Sequence, residues 1–149
     1  MPNYNPSNIS DPASSTGDGG NAMVSTGSAA ATAALVLADS VRPCRVAAGT
    51  KVSRVVVKND DLDSNGTPAL EAKIGFTPCD GSAQATGDDV VVAAAGAFGQ
   101  SAATTTYEIF PPHLVTKDSY LDIVVTTAPA TGAAGTVYGK VEGEAIGAK

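Results

Sequence analysis

The stretch from residue 51 to 76, KVSRVVVKNDDLDSNGTPALEAKIGF, constrains the fold more than any other part of the chain. Two runs of strand-forming residues flank one block of turn formers. In the first run, Val52, Val55, Val56 and Val57 are β-branched, stiff at χ1 and suited to a pleated surface. In the second, Leu70, Ala72, Ile74 and Phe76 alternate with Glu71, Lys73 and Gly75, a period of two that turns one face to a core and the other to solvent. Residues 59–68 between them, NDDLDSNGTP, form a polar loop. The valine run does not alternate cleanly. Val52 and Val56 share a face with Arg54, while Val55 and Val57 share one with Ser53. Either a bulge or burial of both faces accommodates that pattern.

The remaining chain repeats the strand-and-turn pattern. Strands are predicted over residues 32–39, 42–47 and 88–95, over 104–110 with a stop at Pro111-Pro112, and over 121–126 and 137–142. No amphipathic helix and no internal repeat stands out. Seven or eight short strands predict an all-β chain: one β-sandwich, jelly-roll-like or small barrel domain at residues 32–149. Residues 1–31 are rich in Asn, Pro, Ser, Thr and Gly and read as an extended N-terminal arm. Its isolated apolar residues, Tyr4, Ile9, Met23 and Val24, are the candidate partner-binding pegs.

The core implied by this composition is thin. The 149 residues include no Trp, four Tyr and three Phe, so small side chains carry most of the apolar content. Each buries little area at about 25 cal/mol per Å², which favours support from a partner or from self-association. A net charge of −6 argues against nucleic acid and against anionic membrane surfaces. The apolar run AAATAALVLA at residues 29–38 begins too late for a signal peptide and is too short to span a bilayer. The chain is therefore expected to be soluble and made inside the cell. Cys44 and Cys79 have no metal-finger or CxxC spacing and are expected to be unpaired thiols.

No motif carries chemistry. Asp61-x-Asp63-x-Asn65-Gly66 matches the first half of an EF-hand calcium loop, but the expected Glu position holds Ala72. The loop is read as structural, with no metal or other cofactor. His113, the one histidine, is expected on a surface loop without a triad around it. The acid pairs Asp60-Asp61 and Asp88-Asp89 read as exposed strand ends. The sequons at Asn8 and Asn65 read as chance matches.

Residues 35 to 145 resemble the head decoration (cement) proteins of tailed bacteriophages. The resemblance is carried by the Gly/Ser/Ala-rich arm, by VRPCRVAAGTKVSRVVVKNDDLDSNGTPALEAKIGF, by the DDV run at Asp88 and by the late GTVYGKVEG. It implies a non-enzymatic virion protein bound to the outer capsid surface and synthesised in the host cytoplasm. Its implied partners are the major capsid protein and two further copies of itself, as a homotrimer. A tail-tube or head-completion protein is the alternative within virion components. A carbohydrate-binding module is the alternative outside them, with Tyr107, Tyr120 and Tyr138 as its stacking candidates.

Overall fold

The computed structural model describes residues 22–83 and 90–146, together with the backbone of residues 3–4, 8–9 and 13–14. Among these residues the chain is all-β, without helix, as expected. Its elements are β1 (Asn3–Tyr4), β2 (Asn8–Ile9), β3 (Ala13–Ser14), β4 (Ala22–Ala31), β5 (Ser40–Val41), β6 (Arg45–Val46), β7 (Thr50–Asn59), β8 (Glu71–Pro78), β9 (Val90–Val92), β10 (Ala103–Val115), β11 (Ser119–Thr127) and β12 (Gly135–Ala145).

Two six-stranded sheets form a small sandwich. One runs β1-β5-β11-β8-β9, with β6 also on β11; the other runs β10-β7-β12-β4-β2, with β3 also on β4. All described pairings are antiparallel except β1 with β5. The inner faces bring Ala72, Ile74 and Phe76 of β8 and Leu121, Ile123 and Val125 of β11 into one core with Val55 and Val57 of β7 and Val137 and Val141 of β12. Phe76 is the bulkiest fully buried side chain, and valine is the commonest residue in the rest of the core, as the composition implied.

The irregular valine run resolves as a break in register. Val52 is buried, Ser53 and Arg54 are both exposed, and Val55 and Val57 are buried again. The β12–β7 ladder shifts at the same place, between Glu142 and Gly143. A bulge thus moves β7 from one side-chain phase to the other, so the valines on either side both reach the core. Gly143 sits at that shift, where a Cβ would lie 2.2 Å from the carbonyl oxygen of Lys51; only glycine lets the two backbones come so close.

Three expectations are corrected. Residues 22–31, expected in the arm, form β4, which pairs along its whole length with β12. Small residues at alternate positions make this possible, since Ala29 and Ala31 bury without needing a deep pocket. Residues 32–39, expected as a strand, form turns instead. Ala38 has a positive φ of 70°, and the buried Asp39 carboxylate accepts the Val36 N–H at 3.0 Å, closing the turn. Finally, β10 does not stop at Pro111-Pro112. Its ladder to β7 breaks between Glu108 and His113 and then resumes to Val115. The prolines, lacking N–H donors, occupy the break rather than ending the strand.

Candidate functional site

The candidate calcium loop is organised around a different task. Asp63 is buried, and its carboxylate accepts backbone N–H groups from Ala69 at 2.7 Å, Leu70 at 3.1 Å, Ala130 at 2.9 Å and Thr131 at 2.9 Å. Asp60 accepts the Thr136 N–H at 2.8 Å, and Asn65 donates to the Thr131 hydroxyl at 3.0 Å. The acidic loop therefore binds the 128–136 segment of its own chain. Desolvation opposes ionisation of Asp63, but the donors from Thr131, Ala69, Ala130 and Leu70 outweigh it and hold the carboxyl well below its ordinary range. Among the described residues no group of three or more His, Cys, Asp or Glu side chains converges as a metal site would.

His113 lies in β10 opposite Val52, not on a surface loop, and its ring stacks on Phe76 with centroids 5.4 Å apart. Cys44 is buried and Cys79 half-buried, and both are free thiols. Burial pushes the Cys44 thiol up to about 12, against a lowering hydrogen bond from Ser25. The buried Asp122 carboxylate accepts from the Arg42 guanidinium at 3.2 Å and from the Thr77 hydroxyl at 2.6 Å, bracing the outer face of the first sheet.

The proposed arm pegs are dispersed. Tyr4 pairs in parallel with Val41 on one sheet, whereas Ile9 lies opposite Gly27 on the other. Met23 and Val24 are neighbours in β4 with opposite fates: Met23 is 2% exposed, within the domain's own core, while Val24 is 41% exposed. Asp88 and Asp89 lie outside the described residues, as do residues 15–21 of the expected arm. The three tyrosines weighed as a carbohydrate platform are also separated. Tyr107 packs against the core, Tyr120 lies beneath Arg42 and Tyr138 beside Lys58.

Exposed large apolar residues lie at several places, among them Val36 and Leu37 in the turn after β4 and Phe110 and Leu114 in β10. Phe110 is 95% exposed at the β10 bulge and borders an open groove of about 580 Å³ whose lining mixes Val90, Ile109 and Leu114 with the polar Glu108, His113 and Thr116. A second groove, about 460 Å³, crosses the outer face of the β7-β12-β4 sheet between Thr26, Val56, Lys58, Tyr138 and Lys140. Neither is evident from sequence. Phe110 is the one large residue before Pro111-Pro112, and that pair signals a strand stop rather than a protrusion. A sandwich with a protruding aromatic and shallow grooves is equipped for protein contacts more than for enclosing a small substrate.

No protein-family model and no curated protein matches the chain. Two solved structures do. A chain in the capsid of Ralstonia phage GP4 matches with a TM-score of 0.72 and 18% identity, over 91% of this chain and 92% of that one. A chain in the capsid asymmetric unit of cyanophage Pam1 matches with a TM-score of 0.58 and 31% identity, over 89% of this chain and 90% of that one. The first likeness shows the fold; the second, at 31% identity over about nine-tenths of both chains, shows kinship, and the chain belongs to the family of bacteriophage capsid proteins represented in the cyanophage Pam1 shell.

Proposed function

We propose that this protein is a decoration (cement) protein, which binds the outer surface of a phage head through the major capsid protein and stabilises the shell without catalysing a reaction. The observation that carries the reading is the near full-length match to a chain of a phage capsid asymmetric unit. The surface supports it. The exposed Phe110, Val24 and Leu37 give anchors for protein contact, and a net charge of −6 disfavours binding to packaged genome.

Self-association in threes follows from the same reading. A closed ring of copies engages several shell sites at once, so modest contacts sum to firm binding. Residues 1–21 supply the reaching element. Their described parts, β1, β2 and β3, pair over only two residues each, and pairings that short are readily exchanged for contacts with a neighbouring subunit.

The test is mass spectrometry of purified virions, with the copy number of this chain measured against the major capsid protein. A fixed stoichiometric ratio, together with genome loss at lower temperature from shells lacking the protein, is the expected result. Absence from virions refutes the proposal, and presence at only a few copies per particle points to a head-completion role.

A further inference from the structure

β10 ends its sheet, and no described strand pairs with its free side. The opposite side of that sheet is treated differently, since β2 and β3 both lie along β4. An uncovered edge exposes a row of backbone donors and acceptors, and proteins usually guard such rows with lysine, proline or a bulge. In β10 the bulge and the prolines begin only after Glu108. The six residues before them, Ala-Thr-Thr-Thr-Tyr-Glu at 103–108, contain no lysine and no proline and hold an unbroken register against β7.

We infer that this edge pairs, antiparallel and about a two-fold axis, with the same edge of a second copy. The choice of occupant rests on charge and self-complementarity. Two copies each carrying −6 approach with least repulsion where ionised groups are absent or neutralised. Residues 103–107 have none, and Glu108 is already bound to Arg54 at 2.7 Å. With the axis beside Thr105, each Thr104 lies opposite Thr106 of the second copy and each Ala103 opposite Tyr107. Thr–Thr and small–aromatic cross-strand pairs are both favourable, and no like charges meet. The contact is isologous, so it closes after two copies and leaves any threefold ring intact. On a shell it would join neighbouring rings, and it stands in the free chain whether or not the decoration reading holds.

Two double variants of the full-length protein test the register. Thr104→Lys with Thr106→Lys places like charges opposite each other twice across the axis. Thr104→Lys with Thr106→Glu places opposite charges there twice. Both positions, Thr104 and Thr106, are solvent-exposed. Sedimentation equilibrium over a range of concentrations, with a thermal melt as the folding control, is expected to show a wild-type twofold association that the Lys/Lys variant weakens by at least about tenfold and the Lys/Glu variant preserves or strengthens. Concentration-dependent hydrogen-exchange protection at residues 104–106 is the second readout. Equal association of the two variants overturns the inference, as does a wild-type chain that shows no twofold species. A threefold species indifferent to both variants also overturns it, while leaving the proposed trimer standing.

Discussion

Shortening the N-terminus to different points separates the two-residue strands β1–β3 from β4, whose ladder to β12 begins at Ala22. Removing residues 1–21 takes away β1, β2 and β3, each a two-residue pairing. Removing residues 1–31 also takes β4, which holds ten register pairs with β12 from Gly135↔Ala31 to Glu144↔Ala22. With it go the buried side chains of Met23, Ala29 and Ala31. Loss of a buried Met costs about 2–5 kcal/mol. Each buried Ala methyl adds about 0.8 kcal/mol. The side-chain part alone thus reaches about 4–7 kcal/mol, against a total stability of about 5–15 kcal/mol for an ordinary domain. Val137 and Val141, now buried beside β4, would also be uncovered. Thermal denaturation followed by far-ultraviolet circular dichroism should show the chain lacking 1–21 melting within a few degrees of full length. The chain lacking 1–31 should melt lower by about 10–25 °C or fail to fold. In capsid-binding assays the shorter truncation should remain folded yet bind more weakly. A chain lacking 1–31 that melts cooperatively at the full-length temperature would refute the argument that β4 belongs to the core.

Other outcomes follow from the polar contacts. The Asp63 carboxyl is held below its unfolded value, so its contribution is fully present above about pH 4 and is lost as pH falls through the lower folded value. Melting temperature against pH should therefore fall more steeply below about pH 4 in the wild type than in Asp63→Asn, which should be less stable at neutral pH; parallel curves would count against it. Arg42→Met leaves the buried Asp122 carboxylate without its cation and should cost about 3–5 kcal/mol in urea unfolding, whereas adding Asp122→Leu should recover much of that loss; no recovery would show that the guanidinium acts by packing alone. Cys79 should alkylate in the native protein at pH 8, while Cys44, buried with its thiol raised to about 12, should react only on unfolding, and equal labelling rates would contradict the burial.

Much of the architecture is readable along the chain because it depends on local pattern. Alternation at Leu70, Ala72, Ile74 and Phe76, and again at Leu121, Ile123 and Val125, follows from a strand having one buried face, so the strands, the all-β class and the valine-rich core are encoded residue by residue. The loop at residues 59–68 is equally legible, because Asn, Asp and Gly make turns by their own chemistry. The likeness to phage head proteins was carried by the same strands and turns.

What the tertiary structure alone decided are the features that require a partner strand. Residues 22–31 have the composition of an arm, and they become a strand only because β12 offers a matching ladder along their whole length. Asp63 reads as half a calcium ligand set until the 128–136 segment, far along the chain, delivers the N–H groups that occupy it. Pro111-Pro112 reads as a stop until β7 holds the strand on both sides of the bulge and leaves Phe110 in solvent. The free edge of β10 is likewise invisible in its letters, since whether a strand lies inside a sheet or at its margin depends on which strands fold beside it, and no local pattern records that.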